Sequence, residues 1–347
     1  PRPQFFREMV DRYLSDGESN QVLQNLMDRS IPYVAALQEA AGLDVISDGE
    51  WRRKSYIGVI ADMVTGFELE KVAVDSYRHG AYVGYTVTGP VTPVNPGLFA
   101  REAQFLRKHT DREIRVAIPT PYHVGVVHWD KERSVAAYPN QRDFVEVLIP
   151  IIRQEVIALR DAGVRYIQFD DTTIGRISDA IRKEGVEAIE NPAGELAYAV
   201  DSLNRVTAGI DDIHLSLHLC GKRNLTLTGD ETGYDTLLPG IADLKFDMLM
   251  FELSEATDRD LAMLEALPQH MEIGVGCVHS KKEGIDTPEQ IAQRVRRVLE
   301  VVDPHRIAMH PDCGFSPGAY WDIPLDEAYH KLHNEVLAAD MLRSEYK

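Results

Sequence analysis

An eight-stranded parallel α/β barrel is the fold class that this sequence predicts, for three reasons. Short apolar or β-branched runs alternate with longer amphipathic segments along most of the chain, the pattern of repeated strand–helix units. Almost every apolar run ends in polar chemistry: Asp48 and Glu50, Asp170 and Asp171, His218 and Cys220, Glu252, Cys277 and His279, His310 and Cys313. In a barrel such ends converge on one face, where active sites sit. In the alternative, an open doubly wound sheet, the outer ends would lie too far apart to share a site. Finally, a chain of 347 residues suits a single barrel, a fold that often exceeds 200 residues as one domain.

The elements follow in order. The chain opens at Pro1 in mid-motif, so one barrel strand is expected at or before residue 1. Strand runs are read at 43–50, 114–121, 164–171, 213–220, 246–254, 271–279 and 306–314. Residues 64–90 read instead as an inserted β-hairpin. The clearest helix is 139–163, whose apolar residues fall at three- and four-residue spacing and which ends at Asp161-Ala162-Gly163. A second, 287–302, starts with Thr287 as N-cap, Pro288 at the first helical position and Glu289 in the first turn. With no linker or low-complexity segment, residues 1–347 are expected to form one catalytic barrel domain.

Composition narrows the function. The net charge of −18, from 55 acidic against 37 basic residues, argues against a nucleic-acid binder and against docking on an anionic membrane. No apolar run reaches the ~18 residues of a membrane-crossing helix. The charged, amphipathic opening segment does not read as a signal peptide. The three cysteines, Cys220, Cys277 and Cys313, make no disulfide framework and fit a reducing, cytoplasmic setting.

The stretch His214–Cys220 carries the chemistry. Leucines at 215, 217 and 219 alternate with His214, Ser216, His218 and Cys220, so one face of a strand is aliphatic and the other polar. His218 and Cys220 are two apart, roughly 6–7 Å along a strand and on one side of it, close enough to grip one ion. Zinc prefers imidazole and thiolate and takes four ligands. Cys313 and Glu252 stand at matching strand ends, with Cys277 a rival for either place. The plainer reading is a buried cysteine acting as a small hydrophobe and a histidine satisfied in the core. A site with two thiolates, an imidazole and a displaceable carboxylate suits alkylation of a thiol better than hydrolysis, which typically uses three ligands and a water.

These residues resemble a known family. "HLC", "FELS", "GVGCVHS", "IDTPEQIAQRVRRVLEVV" and "HPDCG", in this order and spacing, are similar to the catalytic barrel of the cobalamin-independent methionine synthase family. "DVISDGEWRR" resembles its strand ending in Gly-Glu, and "GVRYIQFDD" its strand ending in Asp-Glu-Pro. The resemblance implies an eight-stranded α/β barrel with Zn2+ held by His218, Cys220, Glu252 and Cys313. It implies that Glu50 and Asp170 meet the polar groups of a thiol acceptor, homocysteine or similar, and that His279 handles a proton near the leaving group. Cys277 is left to packing. One barrel, not two, fits the chain, as in the short members of the family. Asp170-Asp171-Thr172 stands in place of Asp-Glu-Pro, with Asp170 also a catalytic candidate and Asp171 a further candidate for binding the substrate, and Trp129 is displaced from the position expected for stacking on a folate.

Arg52, Arg53 and Lys54 follow Glu50 in a loop at an active strand end and are candidates for an anionic substrate group. The leading expectation is a zinc-dependent methyl or alkyl transferase acting on a thiol, with a methylated corrinoid (or its carrier protein) or a small methylated compound as donor. One alternative is thiol alkylation of the epoxyalkane–coenzyme M transferase type, with Arg52 and Arg53 on the sulfonate. Another is a metal-free uroporphyrinogen decarboxylase-type lyase, which needs basic residues for several carboxylates and no cysteine pair. The last is a non-catalytic zinc-binding partner of a corrinoid protein. Tyr320 and Trp321 are candidates for the pocket wall.

Overall fold

The computed structural model describes residues 21–53, 55–71, 83–175, 177, 189, 191–220, 234–238, 240–280, 284–315 and 323–346. The elements that matter here are α1 (Gln21–Ala41), β1 (Val45–Ile46), β2 (Phe67–Lys71), β3 (Val83–Val87), α2 (Leu98–Arg107), β4 (Glu113–Pro119), α3 (Pro121–His128), α4 (Gln141–Asp161) and β5 (Tyr166–Asp171). They continue with α5 (Pro192–Thr207), β6 (His214–Leu219), β7 (Met248–Glu252), α6 (Asp258–Ala266), β8 (Glu272–Val278), α7 (Pro288–Leu299), β9 (Ile307–Pro311) and α8 (Leu325–Glu345).

Seven strands form one curled parallel sheet in the order β1-β4-β5-β6-β7-β8-β9, the arrangement of a barrel of the TIM type. The place expected for an eighth strand, at or before residue 1, lies outside the described residues. β2 and β3 make a separate antiparallel pair from Phe67↔Val87 to Lys71↔Val83, the expected inserted hairpin. The observed strands are shorter than the sequence runs because several polar ends, Glu50, Cys220, His279 and Cys313 among them, have already left the ladder.

The helices start where cap chemistry allows. Asn140 accepts from Asp143 N ahead of α4, and Thr257 and Thr287 form capping boxes with Asp260 and Gln290 ahead of α6 and α7. Thr120 caps α3, with Pro121 at the first position. Leu215, Leu217 and Leu219 of β6 and Ile167 and Phe169 of β5 join one large apolar core, with Phe144, Leu148 and Leu203 from the helices. The opposite faces of the same strands are polar, and the register aligns them: Pro119↔Asp170, Asp170↔His218, His218↔Met250 and Met250↔Gly274. Strand order thus places Asp170 beside His218, although 48 positions separate them in the chain.

Candidate metal centre

The aliphatic face of β6 is sealed against the core, so His218 points the other way and Cys220 follows it just past the strand end. There the ligand atoms of His218, Cys220 and Cys313 all lie within 4.8 Å of one another. Cys220 Sγ stands 3.3 Å from Cys313 Sγ and 3.4 Å from Glu252 Oε1. Neither cysteine is in a disulfide. A tetrahedral ion with Zn–S of about 2.3 Å would set two thiolates ~3.8 Å apart, so the spacing needs an adjustment of only about half an ångström. The residues therefore fit zinc by donor chemistry as well as by convergence.

The rim of the cluster is tied together by Tyr234. Its buried hydroxyl donates to the Leu219 carbonyl (2.9 Å) and accepts from Glu252 N (3.2 Å), joining the ends of β6 and β7. Close packing has the same effect at Gly175, where a Cβ would lie 2.8 Å from the Cys220 carbonyl. Tyr234 was invisible in sequence, because nothing in the spacing connects it to either strand.

His279 sits beside this cluster in a relay. Its Nδ1 is 2.8 Å from Ser254 Oγ, which in turn donates to the Asp312 carboxylate. Since the hydroxyl gives its proton to Asp312, it accepts from His279, and the network assigns the proton to Nδ1 and the lone pair to Nε2. Lys331, buried on α8, donates to the His279 carbonyl at 2.8 Å. A register irregularity at Gly276/Val278 lets the chain turn here. A Cβ on Gly276 would stand 2.9 Å from Asp312 Oδ1, so glycine makes room for the acid. The "FELS" and "HPDCG" motifs held Ser254 and Asp312, but the sequence did not reveal their link to His279.

The other half of the face is built from carboxylates. Asp170 is half-buried, and Gln168 Nε2 lies 2.5 Å from its Oδ1. Burial first, and the Glu50 carboxylate second, push Asp170 up to about 7, against the pull of Gln168, Arg115 and Arg53. Glu335 of α8 is also buried and is pushed by burial up to about 8, with Arg115 opposing. His310, whose ring meets that of His218 edge-on at 6.0 Å, is pushed down to about 4 by burial.

Several residues expected to meet substrate are engaged within the protein instead. Asp171 is fully buried; it accepts from Thr173 N and Ile174 N at 2.7 Å each and from the Thr120 hydroxyl. A carboxylate at a strand end just before a helical turn caps that turn, and this use takes Asp171 out of the pocket. Burial pushes it up to about 6 against those bonds. Arg53 is buried and bonded to Glu50, Glu102 and the Ala117 carbonyl. Arg52 pairs with Asp28 at 3.0 Å and lies over the Phe105 ring, toward α1 and α2. Glu50 stands half-buried at the end of β1, and Cys277 is fully buried with its thiol pushed up by burial, a packing residue. The Trp129 indole N–H is spent on the Tyr138 carbonyl at 2.9 Å. Lys54, Tyr320 and Trp321 lie outside the described residues.

Fold and site together define a class: a parallel α/β barrel with soft sulfur and nitrogen donors gathered at its strand ends. Residues 1–341 match the family model described as the catalytic domain of cobalamin-independent synthases, and the chain belongs to that family. It is similar along its whole length to the methionine synthase of Sulfolobus acidocaldarius, at 28% identity with 91% of that protein covered. The methionine synthase of Saccharolobus solfataricus is similar at 26% identity, with 93% of it covered. Among solved structures, a B12-independent methionine synthase from Shewanella sp., in complex with selenomethionine, shares the fold at a TM-score of 0.75 and 21% identity, over 94% of this chain and 91% of that one. A methyltransferase from Methanosarcina mazei shares it more distantly, at a TM-score of 0.57 and 14% identity over 96% and 91% of the two chains.

Proposed function

We propose that this chain is a single zinc-dependent catalytic unit that transfers a methyl group to a thiol, homocysteine or a close relative of it. The observation that carries the reading is the convergence of His218, Cys220, Glu252 and Cys313 from three separate strand ends. The similarity to methionine synthases supports both the reaction and the acceptor. The description of the family as cobalamin-independent does not support a corrinoid partner, which leaves a small methylated compound as donor.

His218, Cys220, Glu252 and Cys313 would hold the ion. When bound, zinc supplies the means to keep a substrate thiol deprotonated and nucleophilic near neutral pH. With zinc bound, the Glu252 carboxylate would be the weakest donor of the set and the one an incoming sulfur could displace. Asp170 and Glu50 bind the acceptor's ammonium group from the opposite half of the face. His279, its Nδ1–H held by Ser254 and Asp312, takes up the acceptor thiol's proton on the Nε2 lone pair and passes it to the departing group. The new S–C bond forms as the bond between methyl and donor breaks.

The epoxide alternative leaned on Arg52 and Arg53 as the sulfonate site, and both guanidiniums are committed elsewhere, Arg53 to Glu50 and Glu102 and Arg52 to Asp28 and the Phe105 ring. The test is metal analysis with substitution. We expect close to one zinc per chain in freshly purified protein and under about a tenth of that in Cys313→Ser. A metal-free wild type, or a Cys313→Ser variant with unchanged zinc and turnover, would sink the reading.

A further inference from the structure

Arg53 is the residue whose placement the proposed chemistry leaves unexplained. A guanidinium only 3% exposed, on a loop at the active strand ends, needs a reason to be there. Its surroundings are built for it. Phe99 and Glu102, three apart and on one face of α2, receive it together: the ring lies 4.7 Å below the guanidinium carbon, and Glu102 Oε2 accepts from Nε at 2.9 Å and from Nη2 at 2.8 Å. Nη1 remains, and it is used twice. It donates to the Ala117 carbonyl of β4 at 2.7 Å and to Glu50 Oε1 at 2.8 Å.

Glu50 needs such a hold. Its φ is +58°, the one positive φ at a non-glycine position among the described residues, and it follows Gly49 at +62°. A left-handed conformation is unfavourable at a residue with a side chain and persists only where neighbours over-determine it. Asp48 Oδ1 accepts from Glu50 N at 2.8 Å and fixes the backbone half of this turn. Arg53 fixes the carboxylate half, and through Ala117 it anchors that carboxylate to the sheet. A lysine has one point charge and no planar fork, so it cannot serve Glu102, Ala117 and Glu50 in this geometry.

We infer that Arg53, seated by Glu102 and Phe99, is a positioning residue that aims the Glu50 carboxylate at the ammonium group of the acceptor. The inference rests on the acceptor reading given above and names a determinant of its specificity. Glu50 confers a preference for an amino thiol only while its carboxylate is held, and Arg53 is what holds it.

The test compares homocysteine with 4-mercaptobutyrate, the same thiol acid without its amino group, by calorimetric titration of the wild type, Arg53→Lys, Arg53→Met, Glu50→Gln and the Glu50→Gln/Arg53→Lys double variant. The wild type is expected to favour homocysteine by at least tenfold. Arg53→Lys should lose most of that preference, while its binding of 4-mercaptobutyrate and its zinc content stay within twofold of wild type. The double variant should lose no more than Glu50→Gln alone, because both substitutions remove the same interaction. Arg53→Met leaves Glu102 buried without its partner, so should it fail to fold, the Arg53→Lys and double-variant results decide the matter. Retention of the full preference in folded Arg53→Lys, or simple multiplication of the two losses in the double variant, overturns the inference. A wild type with no preference for the amino thiol overturns the acceptor reading itself, and the positioning role falls with it.

Discussion

The two halves of the strand-end face are built on different principles. Around β6, β7 and β9 the chemistry belongs to side chains whose direction is set by strand register: His218, Cys220, Glu252 and Cys313 meet because their strands are parallel members of one curled sheet, β9 reaching the others across β8. Around β1, β4 and β5 the chemistry belongs to carboxylates, which burial penalises and which must be held by partners far away in sequence. Arg53 reaches Glu102 and Ala117, 49 and 64 positions on, and Asp171 takes the Thr120 hydroxyl, 51 positions back. Soft donors at strand ends are positioned mainly by the sheet, with Tyr234 tying two of its ends, whereas buried acids need a second set of residues devoted to them.

Breaking the metal half should have the largest effect. In Cys220→Ser, as in Cys313→Ser, turnover should fall by more than about 1000-fold together with zinc content, while the protein stays folded, because the cores of β6 and β9 do not depend on the thiols. Elemental analysis and a melting curve separate the two effects. A variant that kept its zinc would show that the two halves are not distinct in this way.

The paired acids of β5 sharpen the comparison. Asp170→Asn should weaken homocysteine binding by about 10- to 100-fold, the worth of a charge-assisted hydrogen bond, with little loss of stability. Wild-type binding should also weaken as pH falls through about 7, because Asp170 attracts an ammonium group only when ionised, and Asp170→Asn should flatten that limb. Asp171→Ala should behave in the opposite way, costing about 3 kcal/mol of stability through two orphaned backbone N–H groups and the lost Thr120 bond, with zinc retained. Equal behaviour of the two acids in titration and melting would contradict their assignment to opposite sides of the strand.

Tyr234→Phe tests the rim on the metal side. Losing bonds to Leu219 O and Glu252 N should cost about 1–2 kcal/mol and weaken zinc retention against a chelator several-fold. The smallest effect is expected at Glu335. Its folded-state value of about 8 lies above the ordinary carboxylate range, so the native state binds the extra proton, and stability falls as pH rises from about 4.5 toward about 8. Glu335→Gln should therefore melt at the same temperature as wild type at pH 5 and a few degrees higher at pH 8.5. A gain at pH 5, or a loss at pH 8.5, would show that the carboxylate is stabilised rather than strained where it lies.

Much of this molecule is local and could be read from the chain. Strand runs, the 139–163 helix, the Thr287 cap and the hairpin at 64–90 follow from periodicity and cap chemistry, which act over a few residues. The gathering of His218, Cys220 and Cys313 was legible for the same reason: a His-x-Cys pair on one face of a strand is a local fact, and the barrel then brings the ends of its other strands to it. The carboxylate half misled, because Arg53 after Glu50 reads as a loop cation and Asp171 after Asp170 as a second pocket acid.

By itself, then, the chain determined the strand runs, two of the helices and the inserted hairpin, and which residues carry donor atoms at the strand ends. Only the tertiary structure decided which charges face a ligand and which are consumed inside: Arg53 beneath Glu50, Asp171 on the turn after β5, Ser254 and Asp312 behind His279. The physical reason is range. Backbone preference and hydrophobic period act over a turn or a strand, whereas the fate of a buried charge depends on which distant groups the packed core sets beside it.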